Sequence, residues 1–307
     1  MESLQSLNRR RKAVRSIGSI TKAMEVVAAI KMRKSEETAL NSRPYAFKVL
    51  DLLEKLGRIS GLDNIFTKTS PTAKTLVVLI TSDRGLIGAF NTQVLRAFEN
   101  FVARDNGDYY FAAVGKKAGS HLLKKGLGAV KNFYGFGDFV KLEDIAPLSD
   151  FVMNGFISGE WGRVVTVSMH FRSALKQETL IREILPLDFM NIRKTILEII
   201  PEHGRFSHLA AKPLSSGLAA SGLDYIFEPT PGKLIKHLIP HLLRMKIYHL
   251  ILEANASEHA ARYVAMKGAS DNAEELSGKL LIQFNNARQA AITGEMVEMS
   301  ATQSALK

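Results

Sequence analysis

"ITKAMEVVAAIKMRKSEE", residues 20–37, joins an apolar stripe and closely spaced Lys and Arg, and contains no turn residue. Read outward from it, apolar residues recur at Leu7, Val14, Ile17, Ile20 or Thr21, Met24, Val27 or Ala28, and Ile30. The steps of about 3, 4 and 7 match a coiled-coil seam rather than a broad amphipathic face. Pro44 is the only proline between Leu4 and Gly57, so one helix kinked near it is expected. Gly18 inside that helix costs about 1 kcal/mol relative to Ala, unless it lets another backbone come close.

A second helical stretch closes the chain. In "FEPTPGK" (227–233), Thr230 is placed to cap a helix and Pro231 to fill its first position. Ala261, Val264 or Ala265, Gly268, Asn272, Leu276, Leu280, Phe284, Ala287 and Ala291 then form another seam of nearly 3.5-residue period. Pro240 should kink this helix or mark a second start. Two narrow apolar seams at opposite ends of one chain are best buried on each other, antiparallel. Some 50–55 residues each would make a rod roughly 75–80 Å long.

Between the helices the pattern changes. Residues 58–73 are turn-rich, and "TLVVLI" (75–80) has the β-branched apolar run of a strand buried on both faces. "YYFAAVG" (109–115) followed by "KKAGSHLLKKG" repeats a strand-then-helix order, and 164–171 and 178–186 read as two further strands. The alternation predicts a small parallel α/β domain over about 74–190. The expected division is 1–57 helix, 74–190 α/β domain, 191–226 variable connection and 227–307 helix.

Composition narrows the function. The 307 residues are 46% hydrophobic, contain no Cys, and carry a formal charge of +11. Without Cys there is no disulfide frame, thiol nucleophile or thiolate metal site. No apolar run is long enough to span a bilayer, and the N-terminus makes a poor secretory signal. The charge excess points to an acidic partner. It concentrates at Arg9, Arg10, Arg11, Lys12, Arg15, Lys22, Lys31, Arg33 and Lys34, against only Glu2 and Glu25 over the same 34 residues.

The candidate chemical motifs are weak. "SDRGLIGAFN" (82–91) follows a strand and precedes a helix, where α/β sheets often bind phosphate, but it fits no phosphate-loop pattern, so a structural turn is the better reading. Gly126-Leu-Gly128 and Gly135-Phe-Gly137 are equally unspecific. His237 and His241 stand four apart, but Pro240 intervenes and no acidic third ligand follows at metal spacing. Catalytic, cofactor-binding and metal residues are therefore expected to be none. A basic coiled-coil arm binding nucleic acid stays open as an alternative, although seam residues interrupt its basic run.

Three blocks settle on a family. "SITKAMEVVAAIKMRKSEETALNSRPYA" (19–46), "LVVLITSDRGLIGAFN" (76–91) and "EANASEHAARYVAMKGASDNAEELSGKLLIQFNNARQAAITGEMVEM" (253–299) resemble, in order, the hallmark segments of the F-type ATP synthase gamma subunit. The resemblance implies a long antiparallel two-helix coiled coil from the N- and C-terminal segments plus a small Rossmann-like parallel α/β domain. It implies a non-catalytic central stalk that couples proton-driven rotation to the catalytic beta subunits. The implied partners are the alpha and beta subunits of an alpha3 beta3 ring, the epsilon subunit and the c-subunit ring, with no nucleic acid. The implied location is the cytoplasmic side of a bacterial plasma membrane, peripherally attached. Carried over residue by residue, the beta-subunit contacts are Lys22, Met24, Arg288, Gln289, Thr293 and Glu295, with Met24 close to the Arg288 region once the helices pair. Arg9, Arg10, Arg11, Lys12, Lys31, Arg33 and Lys34 form a basic face toward an acidic lever of beta. Among the departures from the family pattern, Ile87 replaces the usual Cys, and Gly294 stands where Gln is common.

Overall fold

Ser3 opens the first helix, its Oγ accepting the Ser6 N–H at 3.2 Å and so satisfying a donor of the first turn. The computed structural model describes residues 3–60, 65–68, 72, 74–104, 107–138, 140–187, 228 and 230–305. The connection expected at 191–226 lies outside them. Helix α1 spans Leu4–Ser60, and the last helix, α5, spans Pro231–Ala305. Pro231 begins α5 as its sequence position predicts, and Leu234 N–H donates to the Thr230 carbonyl at 3.0 Å. Pro240 lies inside α5, so no second start occurs there.

Between them run β1 (Thr75–Ile80), α2 (Phe90–Arg104), β2 (Tyr109–Val114), α3 (Lys116–Lys124), β3 (Ala129–Phe133), α4 (Ala146–Ile157), β4 (Arg163–Phe171) and β5 (Gln177–Leu185). The sheet order is β3-β2-β1-β4-β5. The first four strands are parallel neighbours, whereas β4 and β5 pair antiparallel. The sheet is thus mixed rather than wholly parallel. The link from Phe171 to Gln177 is too short for a crossover, which needs a dozen or more residues. Strand β3 and helix α4 are not evident from the sequence pattern.

Every residue of β1 is buried, because helices cover both faces of the sheet. Val77, Leu79, Phe111, Ala113, Val167 and Met169 pack under α2 and α3. Leu76, Val78, Ile80, Ala112 and Val114 face α4 and the first part of α5. Trp161 is fully buried on that second side and donates its Nε1–H to the Val152 carbonyl at 3.2 Å.

Two compact units result: Met1–Ala28 with Tyr263–Lys307, and Ala29–Arg262. The first is built from helix alone, and the second holds the sheet.

Candidate functional site

In the two-helix unit, Leu4, Leu7, Arg11, Val14, Gly18, Thr21, Glu25 and Ala28 withdraw from solvent, joined by Asn8 and Met24. On α5 the matching positions are Met266, Ser270, Ala273, Ser277, Leu280, Phe284 and Ala287. Both series alternate steps of three and four, the heptad rule of a two-stranded coil. The Arg11 guanidinium lies over the Phe284 ring, 5.2 Å from its centroid. A Cβ on Gly18 would stand 3.3 Å from Ala273 Cβ, and Ser270 Oγ donates to Thr21 Oγ1 at 2.9 Å. Partners descend on one helix as they ascend on the other, so the pairing is antiparallel.

The period was legible, the register only in part. Leu7, Val14, Leu280, Phe284 and Ala287 lie in the seam as expected. Of the paired alternatives, Thr21 and Ala28 take the seam rather than Ile20 and Val27, and Ile17, Ile30, Gly268, Asn272, Leu276 and Ala291 are exposed. Several seam positions hold small or charged residues (Arg11, Gly18, Glu25, Ser270, Ser277), so the largest side chains do not mark the seam. Ile17, Ile20 and Val27 run along a face beside it and stay open to solvent.

The antiparallel register also sorts the expected contact residues. Thr21 opposite Ser270 places Lys22 and Met24 beside the turns around 266–270, 18 or more residues from Arg288. At 1.5 Å per residue that is roughly 25 Å or more, so Lys22 and Met24 do not gather with Arg288. Lys22 pairs with Glu25 at 3.0 Å, a bond that raises its ammonium above the usual lysine range. Half-buried Met24 packs near the seam.

Continued to its end, the same register brings Leu4 opposite the turn around Ala287–Ala291. Helix α5 therefore outruns α1, and every residue from Arg288 to Gln303 is exposed. Arg288, Ile292, Glu295 and Met299 share one face of this overhang, at spacings of four, seven and eleven. Gln289 and Thr293 share the adjoining face, Thr293 Oγ1 donating to the Gln289 carbonyl at 2.9 Å. Ile292, Met296, Val297 and Met299 are 48%, 55%, 62% and 66% exposed, respectively. Burying one such side chain contributes about 1.5–3 kcal/mol, and here that contribution is not realised within the chain.

Of the basic face, Arg9, Arg10, Lys12, Arg33 and Lys34 are exposed, while Arg11 is drawn into the seam. Beside Gly18 runs a groove lined by Arg11, Arg15, Lys22, Glu274 and Gly278, basic on balance. Lys31, in the sheet-bearing unit, binds the carboxylate of Asp138, which also meets His259 Nε2 at 2.8 Å. Burial opposes ionisation of Asp138, but Lys31 and His259 outweigh it and hold the carboxyl below its usual range.

The loop after β1 is a brace. Asp83 Oδ1 accepts Lys116 N–H at 2.9 Å, at the start of α3, and Oδ2 accepts Gly135 N–H at 3.1 Å. An anion attracted to that helix end would find a carboxylate already there. Asn91 and Ser82 exchange hydrogen bonds of 2.9 and 3.1 Å across the same turn. His237 is exposed, and His241 Nε2 lies 2.9 Å from Tyr45 Oη.

A protein-family model described as ATP synthase matches residues 3–306. The chain is 35% identical to an ATP synthase gamma chain of Flavobacterium psychrophilum over 312 residues, covering 100% of each. It is 32% identical to that of Cytophaga hutchinsonii, covering 97% of each. Among solved structures, a chain of the Euglena gracilis mitochondrial ATP synthase (OSCP, F1 and c-ring, rotational state 3) aligns with a TM-score of 0.64 at 19% identity, over 99% of this chain and 94% of that one. A chain of the Tetrahymena thermophila mitochondrial ATP synthase central stalk and c-ring aligns with a TM-score of 0.58 at 23% identity, over 82% and 99%.

Proposed function

This chain belongs to the ATP synthase gamma-chain family, and from that premise we propose that it is the rotor shaft of a bacterial F-type ATP synthase. The shaft makes no covalent bonds. Its two-helix unit turns inside an alpha3 beta3 collar, and its sheet-bearing unit meets the epsilon subunit and the c-ring. No described helix is long and apolar enough to cross a membrane. The synthase it serves lies on the cytoplasmic side of the plasma membrane, where the shaft attaches peripherally.

One observation carries the reading: α5 overhangs its partner helix with Ile292, Met296, Val297 and Met299 uncovered. An asymmetric shaft that touches three beta subunits differently stabilises a different conformation in each, and rotation moves those preferences around the ring. Arg288, Gln289, Thr293 and Glu295 supply polar contacts to beta at the overhang. Lys22 and Met24 contact the collar lower on the shaft. Arg9, Arg10, Arg11, Lys12, Lys31, Arg33 and Lys34 give the chain its attraction to an acidic segment of beta. Arg11 and Lys31 act in that only through what their intrachain partners leave exposed.

Family membership displaces the nucleic-acid alternative, and the seam's use of Arg11 agrees with it. The test is reconstitution with the alpha and beta subunits of the same organism. The complex should form, and R288A/Q289A/T293A/E295A should lower its ATPase rate about tenfold, the equivalent of about 1.4 kcal/mol. A chain that never co-purifies with alpha and beta sinks the proposal.

A further inference from the structure

From Met245 to Ser257 every residue of α5 is buried, and several of these are polar. Within the sheet-bearing unit they reach out in different directions. Lys246 Nζ donates to the Glu183 carbonyl at 2.7 Å, Tyr248 Oη to the Val140 carbonyl at 3.2 Å, and Asn255 Nδ2 to the Gly137 carbonyl at 2.9 Å. At their centre Glu253 takes Arg182 Nη1 at 2.5 Å on one carboxylate oxygen and His170 Nδ1 on the other. His170 Nδ1 also lies 2.9 Å from Arg182 Nη2, so side chains of α5, β4 and β5 meet in a triangle around the one carboxylate.

Burial opposes ionisation of Glu253, yet Arg182 and His170 together keep its carboxyl below the ordinary range. Replacing such a buried ionic group by well-packed apolar residues is often neutral for stability. A group kept here despite that invites a role other than holding the fold together. Apolar packing between helix and sheet is adhesive but non-directional, so it resists separation better than sliding or twisting. Directional bonds to the buried Glu253 carboxylate hold only at one height and one rotation of α5.

We propose that Glu253, Arg182 and His170 form a torque key, positioning residues that lock α5 against the sheet so that a twisting load passes between them without slip. The inference rests on the rotor reading. Under load the apolar contacts alone would let the helix creep about its axis. The triangle prevents this, because any displacement separates the buried Glu253 carboxylate from Arg182 and His170.

The test uses the complete synthase in sealed vesicles, comparing wild type with Glu253→Leu/Arg182→Met/His170→Leu. The variant should melt like wild type, assemble, and hydrolyse ATP at the wild-type rate when vesicles are made leaky. Its proton pumping should fall severalfold once a large opposing gradient has built up, while early pumping is unchanged. Equal pumping at every gradient overturns the key and leaves the rotor reading intact. Failure of the wild-type chain to assemble with alpha and beta overturns the rotor reading instead. If the triple variant does not assemble, Arg182→Lys and Glu253→Asp carry the same comparison, since each keeps its charge and loses the geometry. Rescue by either conservative variant to full loaded pumping also overturns the proposal.

Discussion

Gly18 and Ala273 meet so closely that a methyl group on the glycine would lie 3.3 Å from the alanine Cβ. At this point of the two-helix unit a glycine faces nothing larger than a methyl group. Gly18→Leu should therefore force the helices apart and lower stability by about 1–3 kcal/mol, as overpacking does. A Cβ on Gly294 would meet no atom within 4 Å, so Gly294→Ala should gain about 1 kcal/mol of helix stability. Urea denaturation of both variants checks the pair. Shifts of the same sign would contradict the register.

Gly155 serves packing rather than backbone freedom. A Cβ there would stand 1.9 Å from Trp161 Cζ2, inside the ring. Gly155→Ala should expel the indole, break its bond to the Val152 carbonyl, and cost about 3 kcal/mol, the range of a large core disruption. Tryptophan emission reports this directly, because Trp161 is the only tryptophan in the chain. An unshifted emission maximum in the folded variant would refute it.

How far the sequence disclosed all this depends on where size and periodicity agree. β1 was legible because "TLVVLI" is apolar at every position and both its faces are covered. β3 escaped because only Phe133 of "AVKNF" is buried, so an edge strand carries almost no pattern. The seam was legible as a period, and Thr21 and the close approach at Gly18 were among its expected features, but Ile17 and Ile30 fit the same period and lie outside it. Antiparallel pairing was expected, but only its register, fixed by Arg11 over Phe284 and Thr21 against Ser270, shows that Met24 sits far from Arg288. The triangle of His170, Arg182 and Glu253 left no sequence signal, being assembled from residues up to 83 apart. Ile87, in the loop after β1, is buried among Phe90 and Val94, a plain apolar contact.

Asp83 braces two segments with one carboxylate. Asp83→Ala removes the acceptor of Lys116 N–H and Gly135 N–H, and should cost about 1 kcal/mol, the usual loss for a helix-start acceptor. Amide hydrogen exchange localises the effect. Lys116 and Gly135 should exchange faster in the variant while β1 amides keep their protection. Uniform acceleration across the sheet would mean that Asp83 supports the whole domain instead.

Acid should weaken this protein through two buried histidines. Burial lowers His249 from 6.5 to about 4, with the Glu253 carboxylate pulling the other way. His259 is likewise lowered to about 4 by burial, against the pull of Asp138. Its 2.8 Å contact with that carboxylate favours the charged ring, so we assign the larger share to His249. Between pH 6.5 and about 4 the unfolded chain takes up a proton that the folded chain refuses, so stability falls as pH falls. The loss approaches about 3 kcal/mol for one such histidine, at about 1.36 kcal/mol per pH unit. Above pH 6.5 neither state binds the proton and the dependence vanishes. Denaturation midpoints at about pH 7.5, 5.5 and 4.5 should decline for wild type. In His249→Gln the decline should be smaller, whatever that variant's starting stability. An equal slope in both would place the acid sensitivity elsewhere.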